Sequence, residues 1–540
     1  MKLSDKLLAQ RRDELLKMSY LLPQFDRDEV RNNTEKTPEW IHFGIGNIFR
    51  SFIAPLSQKL LNRGEMKTGL IGAAGYDRSL VSDIYHPFDD LTINATLCHD
   101  GRIQKEILGS IVFALNTGRG TPEWAKLESF FTSPSLKMVS LTITEKGYNL
   151  KDSQGNYLPA VEEDIRKGSE AAETYMGKLA ALCYARYKSG KLPIALVSMD
   201  NISHNGDKLK ASITAVAEEW AGRSLCDPEF IAYLEDERFA AFPWSMIDKI
   251  TPRPDQIVQE LLEKDGFEGM EPRRTAHGSY VAPFVNAEEA QYLIIEDSFP
   301  NGRLPLEKAG VIFTDRNTVQ MTEEMKVSTC LNPLHTALAV MGCMLGYDRI
   351  SEEMKDPDLL KMVQIIGYRE GLPAVSDPGI IDPKQFMDEV INIRFSNAFL
   401  KDTPQRIATD TSQKLSVRFG RTIRKYSESD SLDTRDLKII PLVIAGWCRY
   451  LTGIDDEGNA FRPSDDPLLD YLTNILSGVR LGGEYDIHQL LQPILSNAII
   501  MGSDLYEAGI GGLIEEYFGK MIERPGAVRA VLHEAVNQPS

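Results

Sequence analysis

Over roughly the first 317 residues, short apolar runs alternate with stretches of helical composition. The runs fall at residues 40–44, 69–74, 137–144 and 192–199, and segments such as 171–188 lie between them. Neighbouring strands joined by helices pair in parallel, because a tight hairpin can connect only antiparallel strands. The pattern therefore predicts βαβ units around a parallel sheet. Further extended stretches are expected at 290–295 and 310–313. After about residue 318 the period changes, and helical patterns dominate at 334–345, 359–367, 383–399, 437–451 and 467–477. Breakers such as Asp377-Pro378-Gly379 separate them. A chain of 540 residues exceeds one compact core. The expected fold class is α/β plus all-α: an α/β domain over 1–317 and a mainly helical domain over 318–540, with the site in the cleft between them.

The charge balance narrows the function. With 60 Lys+Arg against 78 Asp+Glu the net charge is −18. That opposes phosphate-backbone binding and anionic membrane surfaces, so neither nucleic acid nor membrane is expected as a partner. An anionic small substrate stays open, because a few basic residues in a cleft outweigh a distant field. The six cysteines form no CxxC pair and the eight histidines no HExxH, so neither a disulfide framework nor a metal is expected. The N-terminus carries charges throughout, and its leucines suggest an amphipathic helix rather than a signal peptide. No run of 18 apolar residues occurs. The expected setting is cytoplasmic, and a monomer is favoured.

The first apolar run leads into HFGIGNIFRSF, residues 42–52. Gly44 permits a tight turn, and Gly46 lets backbone approach a pyrophosphate at the start of a helix. The usual third glycine is absent, since Phe49 stands there. A strand–turn–helix with two structural glycines fits this stretch equally well. The second run ends at Gly75 and is followed by Tyr76-Asp77-Arg78. A carboxylate here holds the ribose hydroxyls of NAD and repels a 2′-phosphate, whereas an adjacent arginine accepts one. Asp77 could instead cap the next helix. NAD is favoured over NADP.

Four more stretches add specificity: SLTITEKGY (140–148), SMDNISHNG (198–206), MIDKITP (246–252) and EEMKVSTCLNPLHTALA (323–339). Together with HFGIGNIFRSF, they resemble the polyol-specific long-chain dehydrogenase/reductase family, which includes mannitol 2-dehydrogenases, fructuronate reductases and tagaturonate reductases. In MIDKITP, Lys249 stands where the family more often has arginine. The resemblance implies a Rossmann-type NAD-binding domain, a helical substrate domain and metal-independent hydride transfer. It implies Lys326 as general base and Asn201 with Asn332 as donors to the reacting oxygen. His335 would orient the substrate hydroxyl, Asp248 would contact a distant hydroxyl, and Glu323 would lie on a proton path. In RIATDTSQKL, Arg406 and Lys414 would reach the substrate. Gly44, Gly46, Arg50, Asp77, Thr144 and Glu145 are the cofactor-binding candidates.

The chemistry suits these residue types. Oxidising a secondary alcohol needs a base for the hydroxyl proton, and a buried lysine can be tuned to that task. Two carboxamides stabilise an alkoxide without adding charge. Each residue also has a plainer reading. Lys326 could lie on a surface, His335 in a satisfied core, and Asn201 and Asn205 in turns. Asp248 and Lys249 could form a weak surface pair, and Arg406 and Lys414 could lie on a solvated face.

The favoured substrate pair is D-mannonate and D-fructuronate, because Arg273, Arg274, Arg406 and Lys414 could meet a carboxylate. Mannitol with fructose and altronate with tagaturonate are the alternatives, and a catalytically silent NAD(H)-binding sensor is a different class of reading. One spacing departs from the family's: Lys326 to Asn332 is six residues where five is usual. In a regular helix, Lys326 and His335 would then lie about 180° apart rather than about 80°. An irregularity between Val327 and Asn332 is expected, with Pro333 as a cause.

Overall fold

The computed structural model describes residues 1–275 and 277–538. They form two compact units, Met1–Gln320 and Met321–Ser540.

The first unit is built on a six-stranded sheet. Its strands are β1 (Trp40–Phe43), β2 (Leu70–Ala74), β3 (Ile111–Asn116), β4 (Met138–Leu141), β5 (Ile194–Ser198) and β6 (Ala240–Ala241). Their order is β3-β2-β1-β4-β5-β6, and every neighbouring pair is parallel. This is the doubly wound Rossmann arrangement, with the strand order reversing at β1. The four apolar runs became β1, β2, β4 and β5, and each is buried along its whole length. Strands covered on both faces need apolar residues at consecutive positions, which is why these runs do not alternate with polar residues. Their side chains divide between two cores by the period of two. Ile41, Phe43 and Val139 face one core, and Trp40, Met138 and Ala195 the other.

The stretch expected at 290–295 is the strand Tyr292–Glu296, and that at 310–313 is Ile312–Thr314. Tyr292–Glu296 pairs in parallel with Ile312–Thr314 and antiparallel with Ser245–Asp248. The N-terminal amphipathic stretch folds as two short helices, Asp5–Gln10 and Arg12–Lys17. Among the described residues no helix is long and apolar enough to cross a membrane.

The second unit is helical. Its helix Ile439–Tyr450 is buried on every side, as a helix apolar around its circumference must be, and its one charged residue, Arg449, donates to the carbonyls of Met521, Ile454 and Asp455. Buried helix starts leave unpaired N–H groups. Here the Glu370 carboxylate accepts from Lys438 N and Ile439 N at 2.7 Å and from Ile440 N at 2.8 Å. The expected helical stretches appear as Asn332–Met344, Pro357–Gln364, Pro383–Glu389, Ile439–Tyr450 and Leu469–Leu476. The second and third continue into π turns, Ile365–Gly371 and Val390–Arg394.

Phe49, which replaces the third fingerprint glycine, raises a packing question. A glycine there normally lets the helix approach the sheet. In this chain the missing side chain is on the strand. A Cβ on Gly72 of β2 would lie 2.7 Å from Ile45 Cγ2 and 3.4 Å from the Phe49 ring. The large residue sits on the helix and the small one on the sheet. Gly72→Ala should therefore destabilise the protein by about 1–3 kcal/mol through overpacking, measured as a lower urea midpoint with unchanged slope. An unchanged midpoint would refute this packing account.

Candidate active site

The turn after β1 must be glycine at its first position. Gly44 has φ +95°, and a Cβ there would lie 2.0 Å from the Thr142 carbonyl oxygen. A Cβ on Gly46, by contrast, would meet nothing within 4 Å, so open space lies over this backbone. The expected helix begins directly, with Arg50 N donating to Gly46 O at 3.3 Å. It passes through a π turn, Phe49–Ile53, into Ala54–Asn62. Arg50 is fully buried: Nη1 donates to Ala282 O at 2.6 Å and Nη2 to Asn47 Oδ1 at 3.0 Å, while Nε has no hydrogen-bond partner among the described residues. It braces the turn from behind. His42 is enclosed on β1, with its ring nitrogens 2.7 Å from Ser140 Oγ and 2.8 Å from Thr142 Oγ1. Burial pushes its imidazole down to about 3.

At the end of β2, Asp77 is 6% exposed. Its Oδ1 accepts from Ser79 Oγ at 3.0 Å, and its buried Oδ2 has no hydrogen-bond partner. Among the described residues this carboxylate caps no backbone N–H, so the helix-capping alternative finds no support. A buried, unsatisfied acceptor beside the switch point fits ribose hydroxyls. With the open backbone at Gly46, it makes the end of this sheet suited to a dinucleotide.

The loop after β4 carries Thr144 and Glu145. Thr144 has φ +64°, a strained setting for a β-branched residue. Asp200 holds it there: Oδ2 accepts from Ile143 N and Oδ1 from Thr144 N, both at 2.9 Å. Tyr148 Oη donates to Asp200 Oδ2 at 2.6 Å. Burial pushes the Asp200 carboxyl up and raises the Tyr148 phenol further, with Asp200 adding to the latter. Sequence reasoning missed Asp200, although it sits within SMDN beside Asn201. Glu145 is exposed and pairs with Lys208 at 3.1 Å.

Asn201 is exposed just beyond β5. Asn205 is buried and structural, giving Nδ2 to Ser245 O at 2.9 Å and accepting from Ser245 N at 3.0 Å. Asp248 is buried at the end of its strand, opposite Tyr292. Lys249 Nζ donates to Glu288 O at 2.6 Å. Arg273 and Arg274 form one arm of an exposed two-stranded ribbon in this unit.

In the second unit, Glu323 lies on the helix Arg316–Met325, just before the lysine. Lys326 is 2% exposed and opens a π turn, Lys326–Cys330. Leu331 N donates to Lys326 O at 3.1 Å, five residues back. Leu331 then leaves helical geometry at φ −125°, ψ −64° before Asn332–Met344 begins. The expected irregularity is thus present. One wide turn absorbs the extra residue, which restores the eight-step relation of about 80° between Lys326 and His335.

His335 is 15% exposed, with its ring 5.0 Å from that of Phe395 and Nε2 3.7 Å from Asp402 Oδ2. Burial, followed by the cations Arg418, Arg406, Arg394 and Lys414, pushes its imidazole down to about 3. The contact with Asp402 is therefore not an ion pair, because the ring is neutral. Arg406 is largely exposed and pairs with Asp402, whereas Lys414 is half-buried and donates to Thr409 O. Arg418, unnoticed in the sequence, donates to Thr336 Oγ1 beside His335. Its position four residues after Lys414 was the available signal.

Comparison with known proteins agrees with this architecture. The family model "Mannitol dehydrogenase Rossmann domain" matches residues 38–308, and "Mannitol dehydrogenase C-terminal domain" matches 318–499. The chain belongs to the mannitol dehydrogenase family. It is 52% identical over 518 residues to a D-mannonate oxidoreductase of Thermotoga maritima, covering 96% of each chain. A polyol:NADP oxidoreductase of Gluconobacter oxydans is 28% identical, over 82% of this chain and 85% of that one. The solved ternary complex of Pseudomonas fluorescens mannitol 2-dehydrogenase with NAD and D-mannitol is 26% identical, with a TM-score of 0.70 and full coverage of both chains.

The two buried histidines give a pH prediction. Their folded values lie below the ordinary 6.5, so the unfolded chain binds more protons between about pH 3 and 6.5. Stability should fall as pH drops through that window. In NMR spectra of labelled protein, His42 and His335 should keep neutral-form shifts from pH 8 to 5. A titration of either ring near 6.5 would refute the assignment.

Proposed function

We propose that this chain is an NAD-dependent oxidoreductase interconverting D-mannonate and D-fructuronate. The observation that carries the choice of a sugar acid is the Arg418 guanidinium held on Thr336 Oγ1 beside His335, with the half-buried Lys414 four residues before it. Guanidinium and ammonium groups beside a substrate-orienting residue suit a carboxylate better than a neutral polyol. The 52% identity to a D-mannonate oxidoreductase over nearly the whole chain supports the same choice.

The roles follow from the chemistry. NAD, when bound, supplies the hydride acceptor or donor. In the oxidative direction a carbinol C–H bond breaks to release hydride, while the hydroxyl proton passes to the Lys326 amine and the C=O bond forms. Lys326 is 2% exposed, and burial is what allows a lysine to act as a base near neutral pH. Asn201 and Asn332 donate to the developing alkoxide. His335, neutral, orients a hydroxyl; Asp248 takes a more distant one, and Glu323 lies on the route by which the Lys326 proton leaves. Arg406 and Lys414 act on the carboxylate end. Gly44, Gly46 and Asp77 hold the cofactor, braced by Arg50, with Thr144 and Glu145 on the adjoining loop.

The division of labour at 317/318 is supported by the two compact units and by family matches that end at 308 and begin at 318. Six unpaired cysteines fit a reducing cytoplasm, and we take the active species to be a monomer.

NADH formation with D-mannonate, D-altronate and D-mannitol tests the substrate. The highest kcat/KM is expected for D-mannonate, and equal or better use of D-mannitol overturns the sugar-acid reading. Lys326→Ala should lower kcat by about 10²–10⁴-fold with NADH binding retained. Unchanged turnover would remove Lys326 from its role.

A further inference from the structure

Arg78, just beyond β2, and Lys178, on the helix Tyr175–Lys188, share a partner. Arg78 Nη2 lies 2.7 Å from Glu173 Oε2, and the Lys178 amine lies 2.9 Å from the same oxygen. Lys178 is itself buried. Glu173 is held in place by its own backbone. Glu173 N donates to Asp164 Oδ1 at 2.7 Å, and Thr174 N to Asp164 Oδ2 at 2.8 Å. The next residue, Tyr175, packs so tightly that a Cβ on Gly75 would lie 2.2 Å from its ring. Its hydroxyl accepts from Tyr76 N at 3.1 Å. Residues 173–178 are therefore locked against residues 75–78, and Glu173 is presented to Arg78 by construction. Arg78 also reaches towards the end of β3, since a Cβ on Gly118 would lie 3.3 Å from its Nη1. Against the effect of burial, Lys178 and Arg78 hold the Glu173 carboxyl below the usual carboxylate range, so it is charged.

Arg78 is the side chain that the sequence offers to a 2′-phosphate, directly after the ribose carboxylate Asp77. We propose that Glu173 is a specificity-determining residue: by occupying Arg78 and Lys178 it denies both cations to a 2′-phosphate and sets the preference for NAD(H) over NADP(H). This rests on the NAD(H) reading above. A phosphate arriving at this corner meets two carboxylates, Asp77 and Glu173, whose charges together offset those of Arg78 and Lys178. Once Glu173 loses its charge, the Arg78 guanidinium fork becomes available, with the buried Lys178 charge behind it left uncompensated, a setting that suits a phosphate.

Dissociation constants of NADH and NADPH, measured by fluorescence titration without substrate, test the proposal. The unaltered protein should bind NADH at least about tenfold more tightly than NADPH. In Glu173→Gln the NADPH constant should fall by about tenfold or more, the scale of one charge-assisted contact, while the NADH constant stays within about threefold. Adding Arg78→Gln should abolish the gain. Lys178 loses its counter-ion in the single variant, so Glu173→Gln with Lys178→Met provides a second arm that leaves no unpaired buried amine. There a smaller gain through Arg78 alone is expected. An unchanged ratio of the two constants in these variants, a gain that survives loss of Arg78, or equal binding of NADH and NADPH by the unaltered protein overturns the proposal. Binding of neither dinucleotide overturns the NAD(H) reading itself.

Discussion

The turn at Gly44 has no room for a side chain against the Thr142 carbonyl, and much of the site hangs from that constraint. No side chain fits there, so β1 and the segment after β4 meet backbone to backbone. Thr142 Oγ1 then donates to Gly44 O at 3.0 Å and touches the His42 ring. His42 stacks on Phe49 at 4.7 Å, and Phe49 lies over the bare strand at Gly72. One line of contacts thus runs from β4 through β1 and the first helix turn to β2. Asp77 and Thr144 sit on the loops at the two ends of that line, and small shifts within it would move both.

Charge tells a local story that the total conceals. The chain carries −18 overall, yet around His335 burial and then nearby cations push the imidazole down to about 3. At Glu173 one well-placed carboxylate sits between two cations, so that only a single positive charge is left over. Substrate and cofactor recognition both depend on such small groups, because screening removes the distant surface from the balance.

Much of the fold was legible because buried parallel strands require consecutive apolar residues. β3 escaped notice because it follows a strand of another sheet within a few residues, and β6 because it is only Ala240–Ala241. At the site, motif residues could be named, but their partners could not. Glu173 is 95 positions from Arg78, Asp200 is 56 from Thr144, and Arg418 is 82 from Thr336. Nothing local signals such pairings, since only the finished topology brings the groups together. Arg50 shows the converse: its place in a recognised stretch suggested ligand contact, and nothing in the sequence announced that it would be fully buried with Nη1 on Ala282 O.

The wide turn at Lys326–Cys330 bears on how such chains change over time. An added residue in a rigid rod would rotate everything beyond it, and a helix carrying reactive groups at both ends could not tolerate that. Here a single wide turn, ended by the bond from Leu331 N to Lys326 O, takes up the extra residue ahead of Asn332–Met344. A pattern search with a fixed gap of five would therefore pass over this chain, although the wide turn leaves Lys326 and His335 in about the same angular relation.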